Sequence, residues 1–277
     1  MSDRIHHVID NVFHVAGTCS SYVIVDGDAA LVIDPGDGEW FDELGGLGIA
    51  AVDWVLLTHT HRDQCSGLYR LDRSTTRLAV PELERHLVED LEAFWRRRPT
   101  YQNYNQVADL FSLPRSVAVD ESLEDFATFH WHDVELKVVP TPGHTPGSIT
   151  LLGEISGRRV AFTGDLIDGS GNVPQLHHLQ FGYGDALGAE LSISSLRLLQ
   201  KASPEIVCPG HGPPIDHPAE SLESLVNRLS SFCEEMHHPL ATPPAEDFFE
   251  VAPGLLQSAR QSCSWYVLRA DDGHALL

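Results

Sequence analysis

The 277-residue sequence has only five cysteines, and none of them lies in a CxxC pair. The five are odd in number and scattered along the chain, so neither a disulfide framework nor a cysteine-based zinc site is expected. Cys65 and Cys208 lie close to the histidine-containing segments discussed below. A small apolar side chain packed in a helix or strand is the simplest interpretation of both.

Basic residues are also scarce. The chain has 18 Lys and Arg against 40 Asp and Glu, which gives a net charge of −22. This charge repels phosphate backbones over most of the surface, so nucleic acid is not an expected partner. A small molecule is the expected substrate.

Long apolar runs are absent as well. No segment is apolar over the length that spans a bilayer, and the first residues, MSDRIHHVID, lack the basic and apolar regions of a signal peptide. These absences predict a cytoplasmic protein without a membrane partner. No pattern indicates an oligomeric state.

The signatures of several other enzyme classes are missing too. The sequence has no GxSxG motif, no phosphate-binding loop and no GxGxxG dinucleotide fingerprint. No constellation of residues therefore competes with the histidines and carboxylates described below as the carrier of a chemical reaction.

The pattern of apolar residues predicts strands that alternate with helices. Ser21–Val25 and Ala30–Ile33, separated by Asp26-Gly27-Asp28, predict a hairpin near the start. Further predicted strands are 52–57, 136–139, 149–152, 160–163 and 206–208. Predicted helices are 83–95, 191–199 and 222–236, each with apolar residues on one face. This order predicts an α/β sandwich with helices outside two sheets.

A proline-rich stretch at 238–244 predicts a linker, so we expect domains at 1–237 and 238–277. The tail resembles the start of the chain: Phe249–Ala252 is similar to Phe13–Ala16, and Cys263–Leu268 is similar to Cys19–Ile24. Two interpretations follow. The tail is either a terminal hairpin that completes the sheet of the first domain or the truncated start of a second similar domain. The collinear matches favour the second.

Four short segments carry the chemical information, and each follows a predicted apolar strand. They are 58–64 (THTHRDQ), 141–148 (TPGHTPGS), 162–165 (FTGD) and 208–212 (CPGHG). Imidazoles and carboxylates at strand ends are poorly placed for core packing and well placed to converge above a sheet. Glycines in these segments let the backbone turn sharply beside a bound centre.

The side chains of these segments form a nitrogen and oxygen donor set. His59 and His61 are two residues apart on an extended segment, so their side chains point the same way. Together with His144, Asp165 and the other polar residues they suit zinc, manganese or iron. All four segments in this order predict a metal site.

These segments resemble the metallo-β-lactamase superfamily over residues 10–235, and 141–148 and 162–165 resemble its glyoxalase II-like hydrolase branch. The resemblance implies a four-layer αββα fold. It implies that His59, His61 and His144 hold a first metal, that Asp63 and His211 serve a second, and that Asp165 bridges both. It also implies that Asp34 lies behind the metal ligands.

Gln64 departs from the family's pattern, which continues with histidine at this position. An amide oxygen is a weaker zinc ligand than imidazole. Three cases follow: a dinuclear site with Gln64 as a poor ligand, a mononuclear zinc site, or a mononuclear iron site. The last resembles the family's persulfide dioxygenases, with iron held by His59, His144 and Asp165.

The leading hypothesis is a metal-dependent hydrolase that cleaves an ester, a thioester or a lactone. The nucleophile would be hydroxide on one or two Zn²⁺ ions, with Fe²⁺ or Mn²⁺ as other candidates. Asp63 and Asp165 would be the catalytic carboxylates that orient water and accept its proton. The alternatives are persulfide oxidation at mononuclear iron and a member of the fold that binds a ligand without turnover. We expect residues 93–116 and 167–185 to shape the pocket.

Overall fold

The fold is that of a computed structural model, which describes residues 3–97, 113–174, 187–237, 248–258, 266–269 and 275–276. It contains two compact units, Met1–Met236 and His237–Leu277, and each is described on its own. Among the described residues, no helix is both long enough and apolar enough to cross a bilayer. The cytoplasmic location stays a prediction.

The first unit contains two sheets. The first sheet has seven strands in sequence order, in which the first four form an antiparallel meander and the last four pair in parallel. Its strands are β1 (Ile5–Ile9), β2 (Val12–Ala16), β3 (Ser20–Asp26), β4 (Ala29–Ile33), β5 (Ala51–Leu56), β6 (Arg77–Pro81) and β7 (Glu121–Leu123).

The second sheet has six strands. They are β8 (Thr128–Trp131), β9 (Val134–Pro140), β10 (Ile149–Ile155), β11 (Arg158–Gly164), β12 (Ile206–Pro209) and β13 (Ile215–Asp216). Their spatial order runs from β13 to β8, and β11 with β12 is the only parallel pair among the described strands of this sheet. Because β9, β11 and β12 point the same way, their carboxyl ends lie at one edge.

The described helices of this unit connect strands or cover sheet faces. They are α1 (Arg62–Cys65), α2 (His86–Glu89), α3 (Leu91–Arg97), α4 (Leu187–Ala202) and α5 (Ala219–His237). Turns of 3₁₀ helix lie at Glu39–Leu47, Ser66–Arg70 and Glu82–Glu84.

The single helix predicted over 83–95 is wrong in one respect, because the structure divides it into a 3₁₀ turn, α2 and α3. Leu83 is 60% exposed, whereas its neighbour Glu84 is only 3% exposed. The break has a local cause, since Asp90 leaves the helical region with φ −122° and ψ 49°. The apolar residues at every fourth position, Leu83, Leu87, Leu91 and Trp95, therefore do not lie on one face of a continuous helix.

The core between the two sheets follows from strand alternation. Tyr22 and Ile24 point inward and join Phe162 and Leu151 of the second sheet in one buried cluster. Val23, between them in sequence, points the other way. Alternate residues of a strand face opposite sides of a sheet, so each apolar strand supplies both an inner and an outer layer.

Both outer faces are also covered. The outer face of the first sheet packs on Trp40, Leu68 and Leu91, and that of the second sheet packs on Leu196 of α4 and Leu225 of α5. The layers are therefore helix, sheet, sheet and helix. The predicted α/β class and four-layer αββα sandwich are confirmed.

The described residues of the unit His237–Leu277 form a four-stranded antiparallel sheet. Its strands are β14 (Phe248–Ala252), β15 (Leu255–Ser258), β16 (Tyr266–Arg269) and β17 (Ala275–Leu276). The predicted boundary after residue 237 and the interpretation as the start of a second domain stay predictions.

This sheet repeats the hydrogen-bond register of β1 to β4. Successive cross-strand partners are Val12, Ile24 and Leu31 in the first meander and Leu255, Leu268 and Leu276 in the second. In the first hairpin of each meander the pairing is irregular at one place, between His7 and Ile9 in β1 and between Glu250 and Ala252 in β14. By this register β14 corresponds to β1, so Phe249 lies one strand away from the position of Phe13.

Candidate metal centre

The four chemical segments converge because the strands before them end at the same edge of the sandwich. His59 follows β5 of the first sheet, whereas His144, Asp165 and His211 follow β9, β11 and β12 of the second. His61 remains extended, with φ −65° and ψ 146°, and α1 begins directly after it. The structure thus brings together side chains that lie as much as 152 residues apart in sequence.

The first group of donors is buried. His59, His61, His144 and Asp165 each offer one ligand atom, and these atoms lie within 4.8 Å of one another. His144 Nε2 lies 2.9 Å from His61 Nδ1 and 3.2 Å from Asp165 Oδ2. The three imidazole rings meet edge to face, with centroids 4.7 to 4.9 Å apart. This arrangement is close enough to hold one metal ion.

The second group shares one residue with the first. Asp63, Asp165 and His211 also place their ligand atoms within 4.8 Å of one another. His211 Nε2 lies 3.1 Å from Asp63 Oδ2 and 3.4 Å from Asp165 Oδ2. Asp165 therefore lies between the two groups, where a carboxylate that bridges two ions would have to lie.

The unsatisfied polar atoms test whether these residues fit a metal. Among the described residues, His59 Nε2 and Asp63 Oδ1 are buried without a hydrogen-bond partner. A buried polar atom without a partner costs free energy. A divalent cation would satisfy imidazole nitrogens and carboxylate oxygens at once, so the donor set fits such an ion.

The electrostatics of the centre favour a bound cation. Burial by itself would raise the pKa of Asp165, but His144, His211 and His59 together hold this pKa well below its usual range. Hydrogen bonds to Asp165 and Asp63 raise the pKa of His211 to about 10. In the metal-free protein His211 thus keeps a proton between two carboxylates, and a metal ion would replace that proton.

Asp34, predicted to lie behind the ligands, is buried next to His59. It ends the first hairpin at φ 52°, a left-handed conformation that Asp tolerates better than most residues. Its carboxylate accepts from the Thr58 backbone nitrogen and from Thr58 Oγ1, which in turn lies 3.2 Å from His59 Nδ1. Burial raises the pKa of Asp34 to about 7.

Gln64 lies at the second group of donors. Its Nε2 donates to Asp165 Oδ1 at 3.2 Å and lies 3.4 Å from His211 Nε2. Its Oε1 is buried and has no hydrogen-bond partner among the described residues. The side chain therefore lies beside the second group with its amide nitrogen toward the other donors, and its role as a ligand stays a prediction.

Sequence reasoning missed Glu84, which the structure places beside the centre. This residue is 3% exposed and bonds to Thr60 and Thr145, the neighbours of three of the histidines. The only signal was an acidic residue shortly after a buried strand, and the helical spacing of the leucines obscured it. Residues 98–112 and 175–186, which carry most of the predicted pocket wall, lie outside the described residues.

A cavity of about 510 Å³ borders the centre at His211. Its lining includes His6, His14, Cys19 and Pro213, and none of the described residues that line it is acidic. In a chain of net charge −22 this recess beside the donors carries the protonated His211 instead of carboxylates among its described lining residues. Its size is in the range of small-molecule pockets.

Comparison with known proteins agrees with this geometry. A family model described as the metallo-beta-lactamase superfamily matches residues 14–211. A probable metallo-hydrolase of Methanocaldococcus jannaschii is 27% identical over 219 residues, which cover 74% of this chain and 93% of that protein. A hydroxyacylglutathione hydrolase of Acidiphilium cryptum is 29% identical over 132 residues, which cover 48% of this chain and 43% of the relative.

A solved structure shows the same fold. A subclass B3 metallo-β-lactamase of Bradyrhizobium japonicum matches with a TM-score of 0.62 and 17% identity, covering 84% of this chain and 94% of the other. The family match is the stronger finding, because it extends over well more than half of the chain and includes every predicted ligand from His59 to His211. The chain belongs to the metallo-β-lactamase superfamily.

Proposed function

We propose that this protein is a metal-dependent hydrolase that cleaves an ester, a thioester or a lactone. The observation that carries the proposal is the pair of donor groups that share Asp165. The names of the two curated relatives, a probable metallo-hydrolase and a hydroxyacylglutathione hydrolase, support hydrolysis. The absence of a nucleophile motif in the sequence supports it as well.

The residues have separate roles in this proposal. His59, His61, His144 and Asp165 would hold the first ion, and Asp63, Asp165 and His211 would hold a second with Gln64 beside it. Zinc suits these donors best, with iron and manganese as other candidates. Such ions acidify water and polarise the carbonyl group that is attacked.

The carboxylates of the chain would handle the proton. Asp63 Oδ2 faces His211 Nε2 at 3.1 Å, and Asp63 Oδ1 is buried without a hydrogen-bond partner among the described residues. Asp63 can therefore orient a water molecule and accept its proton. Asp165 stays anionic, because the surrounding imidazoles hold its pKa low.

The test is metal content followed by turnover. Protein purified without chelators is analysed for metals by mass spectrometry and then assayed on a panel of esters, thioesters and lactones. We expect zinc in the wild type, hydrolysis of at least one class, and loss of both in His59→Ala. Asp63→Ala should keep the first ion and lose turnover. His86→Ala, which changes an exposed histidine, is the matched control.

Two other results would each redirect the proposal. Iron in the wild type, with oxygen uptake in the presence of a persulfide, would favour oxidation by an iron held at His59, His144 and Asp165, three residues of the same donor group. No metal, even after loading with zinc or iron, would contradict both enzymatic proposals and leave a ligand-binding protein.

A further inference from the structure

We propose that Glu84 is a positioning residue, which fixes the segment of His59 and His61 relative to the segment of His144. The inference rests on the proposed metal centre and adds a residue to it that touches no ligand atom. Glu84 lies at the end of the 3₁₀ turn Glu82–Glu84, just after β6, and its side chain is buried against both segments.

One carboxylate oxygen of Glu84 holds the first segment. Glu84 Oε2 accepts hydrogen bonds from the Thr60 backbone nitrogen and from Thr60 Oγ1, both at 2.8 Å. Thr60 lies between His59 and His61 in sequence. Two bonds to one residue fix both the position and the rotation of the extended backbone from which the two imidazoles project.

The other oxygen holds the second segment. Glu84 Oε1 accepts from Thr145 Oγ1, and Thr145 directly follows His144. Since a carboxylate only accepts, the single hydroxyl hydrogen of Thr145 points to Glu84. Ser148 Oγ, at 2.5 Å from Thr145 Oγ1, must then donate to it, and Ser148 Oγ itself accepts from the Thr145 backbone nitrogen.

The backbone of the second segment is shaped around this carboxylate. A Cβ atom at Gly147 would lie 2.4 Å from Glu84 Cγ, so only glycine permits the observed approach. The segment 141–148 thus contacts Glu84 through the Thr145 hydroxyl, which the Ser148 hydroxyl supports, and through the backbone of Gly147. These contacts indicate that the Glu84 carboxylate helps to set the backbone conformation of the segment 141–148.

The consequence for the metal is geometric. His61 belongs to the first sheet's segment and His144 to the second sheet's, yet their ring nitrogens lie 2.9 Å apart. Glu84 is a single side chain that bonds to the neighbours of both. Mutation of a group that orients a metal ligand without touching the metal commonly lowers metal affinity by about 10- to 100-fold.

The isosteric variant Glu84→Gln tests this role. An amide nitrogen cannot accept a hydrogen bond, so the amide oxygen must face Thr60 and the amide nitrogen can only donate to Thr145 Oγ1. The Thr145–Ser148 bond then has to reverse, and the charge-assisted bonds to residue 84 become neutral ones. Glu82→Gln, in the same turn but exposed, is the matched control. Thr145→Val and Thr145→Ser, which remove and keep the hydroxyl, test the same link from the other side.

Two measurements are made on the full chain. Zinc affinity is obtained by competition with a chelator, and the visible absorption of the cobalt-loaded protein reports the geometry around the metal. We expect Glu84→Gln and Thr145→Val to bind zinc about 10-fold more weakly or worse, with altered cobalt bands. Glu82→Gln and Thr145→Ser should match the wild type in both.

The outcomes separate this proposal from the proposed function. If the wild type binds zinc, and both Glu84→Gln and Thr145→Val bind it equally with unchanged cobalt spectra, Glu84 has no positioning role, while the hydrolase proposal stands. If the wild type binds no metal, the centre itself is contradicted. Should Glu84→Gln fail to fold by circular dichroism, the Thr145→Val and Thr145→Ser pair decides the matter alone.

Discussion

The carboxylate of Asp34 accepts both polar hydrogens of Thr58, from the backbone nitrogen at 2.8 Å and from Oγ1 at 2.6 Å. Above its pKa of about 7 the Asp34 carboxylate only accepts, so it takes the single hydroxyl hydrogen of Thr58. Thr58 Oγ1 can then only accept from His59 Nδ1, which lies 3.2 Å away. The proton of His59 therefore belongs on Nδ1. Its Nε2, which has no hydrogen-bond partner among the described residues, keeps a free lone pair for a metal.

Asp34→Asn is expected to reverse this preference. The amide oxygen must face the Thr58 nitrogen, so the amide nitrogen donates to Thr58 Oγ1. The Thr58 hydroxyl is then free to donate to His59 Nδ1, which favours the proton on Nε2. At a pH above 7, where Asp34 is ionised, zinc affinity should fall by about 10-fold or more in the variant, and ¹⁵N NMR of metal-free protein should show the changed tautomer. Asp28→Asn, in the exposed turn before β4, is the control; equal affinities in both variants would contradict the argument.

Gly210→Ala is expected to damage the centre by crowding. A Cβ atom at residue 210 would lie 2.3 Å from Asp165 Oδ1 and 3.0 Å from Gln64 Nε2. Asp165 would have to move away from the histidines, at a cost in unfolding free energy of about 1–3 kcal/mol. Less zinc per chain and a lower Tm are the expected results. Gly46→Ala, where no atom lies within 4 Å of the added carbon, should match the wild type.

The ligand positions were predictable from sequence because their signal is local. Each lies within a few residues of an apolar strand, and strand ends in such a sandwich meet at one edge. The inner and outer layers were predictable for a similar reason, since the alternation of Tyr22, Val23 and Ile24 already separates the two faces. The structure brings the expected residues together; their role as ligands stays a proposal.

Glu84 and the tail were not predictable in the same way. The partners of Glu84 lie 24 and 61 residues away, and nothing in the residues around it indicates that its carboxylate is buried. In the tail, the likeness of Phe249–Ala252 to Phe13–Ala16 matches β14 with β2, whereas the cross-strand register matches β14 with β1. Short strand patterns are too similar to one another, and only cross-strand pairing identifies which strands correspond.

Gln64→His is expected to strengthen the second donor group. Gln64 Nε2 lies 3.2 Å from Asp165 Oδ1 and 3.4 Å from His211 Nε2, so the residue already faces these donors. Imidazole is a better zinc ligand than an amide. After loading with excess zinc and removal of weakly held metal, the variant should retain more zinc per chain than the wild type, as measured by mass spectrometry. Unchanged zinc content would mean that residue 64 is not a ligand position.

His14 is expected to make the metal-free protein less stable in acid. Burial, followed by the charge of His6, lowers the pKa of His14 from 6.5 to about 4, so the folded state resists a proton that the unfolded chain accepts. This contribution to stability is complete above pH 6.5 and is lost as pH falls from 6.5 to about 4. The shift limits the loss to about 3 kcal/mol.

Denaturant unfolding of chelator-treated protein at several pH values should show a smaller loss in His14→Gln than in the wild type. His86→Gln, at an exposed position, should follow the wild type; if His14→Gln also follows it, the imidazole of His14 takes up its proton in the folded protein without penalty.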